Sequence, residues 1–271
     1  MKKKNGIWRI PVLIVIFCVY FSPFYILTVI SFKSATDLSS RWEFPAAPTL
    51  DNFRTAIEQG GILKALFHSF VIMVIAVLLI VVVGSLAAYP LARNKSKWNK
   101  VIKAFVMGIM MVPPLSILVS LYSIIVDMGG VNQYWGIIII LLTFELPQAI
   151  FLYSNFISSI PTALDEAAAL DGCGPVRTFF LIIFPQLKSV TASVVILAGI
   201  HCWNDYQFSL YVLQSSEMST VTLAISSFFS QTTSNLNAAS AAALLAILPV
   251  VVCFLCLQKY FIKGMVDSAV K

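Results

Sequence analysis

The chain has 271 residues, of which 59% are hydrophobic and only 11% charged, and its mean hydropathy is +0.90. A soluble domain of this size carries roughly a quarter charged residues. The polar side chains here are too few to make a water-facing surface, so a soluble domain is excluded and lipid must cover much of the molecule. The net charge of +6 raises nucleic acid as a partner, and the placement of the cations removes it, as shown below.

A hydrocarbon core of about 30 Å takes about 20 apolar residues in a helix. Six stretches reach that length: residues 10–30, 65–88, 104–126, 136–156, 190–213 and 241–261. They are spread over the whole chain, which predicts one all-α, polytopic membrane domain over residues 1–271. The first stretch follows Met1-Lys2-Lys3-Lys4 and resembles a signal peptide. It is too long for a typical apolar signal core and no small-x-small cleavage site follows it, so it reads as a retained helix.

The loop after the first span, residues 31–64, carries Lys33, Asp37, Arg41, Glu43, Asp51, Arg54, Glu58 and Lys64. This balanced, proline-punctuated stretch is either a docking surface or a connector. With six spans, Lys33, Arg41, Arg54 and Lys64 fall on one side of the membrane, and the other fourteen of the 18 Lys and Arg fall on the opposite side. Cytoplasmic loops carry the excess of cations, so both termini are expected in the cytoplasm. The basic balance is a topology signal and not a nucleic-acid footprint.

Prolines mark the third, fourth and sixth spans at Pro113-Pro114, Pro147 and Pro249. Membrane helices tolerate them where neighbours satisfy the freed carbonyls. Ala238, Ala242 and Ala246 place small residues on one face of the sixth span, suited to close helix contact. Of the five cysteines, Cys253 and Cys256 have redox or zinc spacing. They lie in a lipid-length run with no further ligand nearby, and read as small apolar residues. His68 and His201 lack metal-ligand spacing, so no metal site is expected. No phosphate-binding lysine loop, nucleophile elbow or HExxH pattern is present, so no catalytic residue is expected either.

Between the fourth and fifth spans, residues 158–188 form a loop on the side with most cations. Within it, "PTALDEAAALDGCGP" reads as a short capped helix with three carboxylates. Thr162-x-x-Asp165 resembles a capping box, and Pro161 suits the entrance. Gly172 fits the left-handed closing position. Leu164, Ala167, Ala168 and Leu170 leave one side apolar and small. Such a face either enters a groove on another protein or packs on its own bundle.

Two acids lie at membrane depth. Glu145 is in the fourth span and Asp205 in the fifth, after Trp203-Asn204. Ionisable groups there are expensive and face a bundle interior or a water-filled path. Glu145, Trp203, Asn204 and Asp205 are therefore candidates for a polar substrate path, with Tyr206 and Phe208 as flat apolar neighbours. The competing readings are an interhelical hydrogen bond for Asp205, and a neutral or interfacial acid at Glu145.

The run Glu166-Ala167-Ala168-x3-Gly172-x9-Ile182-x-Phe184-Pro185 resembles the EAA motif of ABC importer permeases, with Phe184 where Leu is usual. "SFKSATDL", "PTLDNF", "AAYPLAR", "WND" and "QKYFIKGMVDSAVK" resemble the maltose-transporter-type carbohydrate permeases along nearly the whole chain. The resemblance implies a six-helix permease whose EAA helix, with Glu166, Ala167, Ala168, Asp171 and Gly172, is the coupling helix on an ATPase subunit. It also implies a second permease subunit, an ABC ATPase dimer holding ATP and Mg, an extracellular solute-binding protein and a carbohydrate substrate. No cofactor is expected on this chain itself. The alternatives are a permease for another polar solute such as a polyol, and an ion-coupled secondary transporter using Glu145 or Asp205. The EAA loop argues against the second, because a secondary carrier has no ATPase to dock.

Overall fold

The structure is a computed structural model and describes residues 9–229 and 235–269. Lys2, Lys3, Lys4 and Lys271 lie outside the described residues, as do the side chains of Cys253, Cys256, Lys259 and Lys263. The described residues are helical and hold no β-strand. They divide into two compact units, one of Met1–Lys64 with Ala224–Pro249 and one of Ala65–Leu223 with Val250–Lys271.

The first unit begins with α1 (Arg9–Ser31), apolar and long enough to cross a membrane. The chain then turns around Lys33, whose ammonium is buried and donates to the carbonyls of Ser39 and Ser40 and to the Ser39 hydroxyl. Asp37 stands 3.7 Å from that ammonium. The Ser39 hydroxyl and amide hold the Asp37 carboxyl below the usual carboxylate range, with Lys33 adding to the effect. Asn52, in α2 (Asp51–Glu58), donates to the carbonyls of Ser31 and Lys33. Ser31 ends α1, and its carbonyl is one of those that must find a partner outside the helix. The loop expected as a connector or docking surface is thus folded onto itself, with Leu38, Trp42 and Phe44 left exposed.

In the second unit, α3 (Ile62–Arg93) runs 32 residues, about 48 Å at the helical rise. It overshoots the predicted stretch 65–88 at both ends. The stretch predicted as one span over 104–126 is broken. It forms α4 (Lys97–Ile109), a 3-10 turn at Pro114–Ile117 and α5 (Leu118–Asp127), bent by 93°. Pro113 is extended and neither Pro113 nor Pro114 has an amide proton to donate, so the helical ladder cannot cross this point. Next, α6 (Tyr134–Ser159) carries Pro147 and packs against α4. A side chain on Gly136, in its first turn, would place a Cβ 2.1 Å from the Gly130 carbonyl oxygen, so glycine is required at this close approach.

After α7 (Ala163–Leu170) comes a near-continuous helix from Pro175 to Trp203. It comprises α8 (Pro175–Thr178), a π turn at Phe179–Ile183, a 3-10 turn at Phe184–Leu187 and α9 (Lys188–Trp203). The fifth span was expected over 190–213. Instead it starts earlier, taking in the second half of the predicted loop 158–188, and stops at Trp203. Then α10 (Gln207–Val212) and α11 (Val221–Ser226) follow as separate short helices. The core of this unit is mostly aliphatic, with Ile137, Ile157, Ile183 and Leu187 fully buried beside the aromatic Tyr153 and Phe179.

The last helix, α12 (Leu236–Ala269), carries Pro249. Ala238, Ala242 and Ala246 are all buried, as the small-residue face predicts. Among the described residues, four helices are long and apolar enough to span a membrane, or five when α4 and α5 count as one bent span.

Candidate functional site

The candidate site is built on α7 and on what holds it. Thr162 precedes the helix with φ −66°, and its side chain makes no cap hydrogen bond, so the expected capping box is not formed. Its backbone carbonyl instead accepts from the amides of Asp165 and Glu166. Asp165 is engaged elsewhere: Oδ1 accepts from the Tyr89 hydroxyl at 2.5 Å and Oδ2 lies 2.8 Å from Arg93 Nη2. One neutral donor, Tyr89, and one cation, Arg93, at the end of α3 outcompete a local backbone cap.

The other end closes as expected. Gly172 has φ +79°, the Cys173 amide donates to Ala168 O at 2.8 Å and the Gly172 amide to Ala169 O at 3.1 Å. This is the Schellman pattern, in which a left-handed glycine satisfies the last carbonyls.

Ala168, at 2% exposure, and Asp165, with its side chain 20% exposed, face inward. Of the two alternatives open for the small face, a partner groove or its own bundle, Ala168 takes the second and packs within its own chain. Glu166, Ala167 and Asp171 are exposed, and Leu170 is 90% exposed. Asp165 and Glu166 sit in the first helical turn, where the helix dipole favours negative charge. Beside α7 an open cleft of about 610 Å³ runs between the end of α3 and Pro175–Phe179, walled by Leu86, Tyr89, Pro90 and Val176.

The four path candidates separate. The Glu145 oxygens lie 3.1 and 3.0 Å from Nδ1 of His201, so this histidine is a partner of Glu145 across α6 and α9. Asp205 caps α10, accepting from the amides of Phe208 and Ser209 and from the Ser209 hydroxyl. This is neither an interhelical bond nor an open side chain. Trp203 is buried, and the Asn204 amide folds back onto Ile200 O. Phe208 stacks on Phe144 with ring centroids 4.7 Å apart, inside the unit. His201, Tyr89 and Arg93 escaped a reading based on local spacing, because each partner lies far away in sequence.

Several lipid-length helices, with a short closed acidic helix between two of them, define a polytopic membrane protein. Residues 80–267 match the binding-protein-dependent transport system inner membrane component family, and the chain belongs to that family. It is 45% identical over 258 residues to the melibiose/raffinose/stachyose import permease protein MelC of Bacillus subtilis, covering 95% of this chain and 94% of that one. It is 31% identical over 276 residues to the multiple sugar-binding transport system permease protein MsmG of Streptococcus mutans, covering 100% and 99%. Among solved structures, a bacterial ABC transporter involved in the import of the acidic polysaccharide alginate superposes with a TM-score of 0.80. The identity is 19%, over 96% of this chain and 99% of the other. That likeness is one of fold. The chain is a transporter's membrane subunit and not an enzyme; ATP hydrolysis belongs to a separate subunit.

Proposed function

We propose that this chain is a six-span permease subunit of an ATP-driven importer for a sugar or oligosaccharide, with both termini in the cytoplasm and α7 as its coupling helix. The observation that carries the reading is α7 itself. It is a closed eight-residue helix fixed to its own unit through Asp165 and Ala168, with Glu166, Ala167, Leu170 and Asp171 turned outward. An apolar residue as exposed as Leu170 beside a carboxylate suits a protein groove better than water.

In this reading α7 docks on an ABC ATPase that holds ATP and Mg, and α12 supplies the sixth span. A second permease completes the pathway and an extracellular solute-binding protein delivers the substrate. Of the path candidates, Glu145 and Asn204 supply polar groups to the route, while Asp205 and Trp203 shape it from within. The relatives' printed substrates favour a sugar, and those of the Bacillus subtilis relative set the first panel. Uptake of labelled melibiose, raffinose and stachyose is expected in cells expressing the whole transporter, and is expected to vanish when this chain is deleted. Uptake that survives the deletion, or no uptake of any oligosaccharide, overturns the sugar reading.

A further inference from the structure

The end of α3 holds a three-way junction that docking of α7 does not by itself require. The Arg93 side chain is only 14% exposed. Its Nη1 donates to the carbonyls of Ile157 at 3.1 Å and Ile160 at 2.7 Å. These carbonyls close the end of α6, where the Ile157 carbonyl also accepts from the Ile160 amide. Its Nη2 lies 2.8 Å from Oδ2 of Asp165, itself 20% exposed, in the first turn of α7. That contact lies off the line of a hydrogen bond. Arg93 Nε and Nη2 and Asp165 Oδ2 are shielded from solvent without an aligned partner, so the attraction is Coulombic. The second carboxylate oxygen accepts from Tyr89, four residues before Arg93 on the same face of α3.

Both charges are largely removed from water. Separating them would leave each one buried and uncompensated, which is strongly unfavourable. The remaining attachments of α7 are its packing beside α8 and its two links. Ala168 contributes a single methyl group to the packing. The links are Ile160-Pro161-Thr162 on one side and Gly172-Cys173-Gly174 on the other, the second containing two glycines. Without the junction α7 would pivot on these links. With it, α7 cannot leave α3 or the end of α6 without breaking the ion pair. The planar guanidinium matters, because it reaches carbonyls and carboxylate together, whereas a lysine is a single point charge.

We propose that Tyr89, Arg93 and Asp165 form a rigid linkage that passes displacement of α7 to α3 and α6, as positioning residues of the transport cycle. The proposal rests on the reading of α7 as the ATPase-docking helix. A merely structural role would change yield; this role changes the number of substrate molecules moved per ATP hydrolysed.

The test uses the complete transporter in liposomes. ATP hydrolysis is read alongside uptake of the best-transported of melibiose, raffinose and stachyose. Ala169→Cys, at an exposed position of α7 and adding only a sulfur, serves as a cross-linking site to the ATPase. Asp165→Asn and Arg93→Gln are each expected to keep the cross-link and the hydrolysis while lowering substrate moved per ATP about tenfold, within the usual range for coupling between sites. The double variant should be no worse than the worse single one. Arg93→Lys should recover only part of the loss, and Tyr89→Phe should show a smaller loss of the same kind. A wild-type ratio in Asp165→Asn overturns the linkage. Should Asp165→Asn fail to assemble, a wild-type ratio in Tyr89→Phe overturns it instead. If Ala169→Cys does not reach the ATPase in the otherwise unaltered transporter, the coupling reading falls and the linkage with it. A cross-link with an unchanged ratio removes the linkage alone.

Discussion

Glu145 on α6 meets His201 on α9 with both carboxylate oxygens within 3.1 Å of the imidazole Nδ1. The Glu145 side chain is 15% exposed and the His201 side chain 53%. The pair therefore ties two spans together at the edge of open space. Glu145→Gln and His201→Gln should each destabilise the purified complex slightly. The double variant should lose less than the sum of the two, revealing a coupling of about 0.5 kcal/mol, the scale of partly exposed pairs. Thermal melting of the detergent-solubilised complex measures all four corners of the cycle. Strict additivity would mean that the two side chains do not interact in the assembled protein.

Asp205 has a local task. Its carboxylate holds the first turn of α10, while its carbonyl accepts from the Thr222 hydroxyl at 2.6 Å. Asparagine caps a helix about as well as aspartate, whereas alanine costs about 1 kcal/mol. Asp205→Asn should therefore keep both yield and uptake, and Asp205→Ala should lower the yield of folded permease. Loss of uptake at normal yield in Asp205→Asn would show that the charge itself serves transport.

Gly172 closes α7 at φ +79°, and open space surrounds the position a side chain would take. Any penalty there comes from the backbone and not from crowding. A β-branched residue in the left-handed region costs roughly 1–2 kcal/mol. Gly172→Val should weaken the closure of α7 and reduce uptake several-fold, while Gly172→Asn, which tolerates this region, should retain most of it. Parallel uptake assays decide. Equal uptake in the two variants would remove the closing turn from the functional argument.

What was legible in the sequence follows from what is local. The Gly172 turn, the buried alanine face of α12 and the long apolar helices are short-range patterns. The break at Pro113-Pro114 was visible as two prolines, but a hydropathy window averages across it, so the 93° bend was hidden. The fifth span slid because Trp203-Asn204 ends a helix inside an apolar run that continues to Leu213. Tyr89 and Asp165 are 76 residues apart, so no periodicity could pair them. That long-range competition also explains the failed capping box, since Asp165 had a better partner than its own backbone. Arg93 was visible as a cation in a topology count and as the last residue of the AAYPLAR run, and neither points to Asp165.

Topology has a direct test. Reporter fusions truncated after Lys97 should report cytoplasm, because Lys95, Lys97, Lys100 and Lys103 cluster at the start of α4. A fusion truncated after Asp51 should report the outside. An outside signal at Lys97 would reverse the proposed orientation and place α7 where no ATPase can reach it.

The two faces of α7 give the sharpest contrast. Ala168 is buried at 2%, while Leu170, two residues on, is 90% exposed. A tryptophan at the first position must push into this chain's own packing, and overpacking costs about 1–3 kcal/mol. Ala168→Trp should therefore reduce the amount of folded permease before any partner is involved. Leu170→Ala and Glu166→Ala touch no internal contact and should leave that amount unchanged. If their face docks on the ATPase, losing the Leu170 side chain removes about 1.5–3 kcal/mol of apolar burial when that burial is complete. The docked fraction should then fall about tenfold or more at limiting ATPase. Permease yield and ATPase recovered in pull-down, measured on the same membranes, separate the two outcomes. Full ATPase recovery and wild-type uptake in both Leu170→Ala and Glu166→Ala would mean that the exposed face of α7 meets no partner, and that the ATPase docks elsewhere.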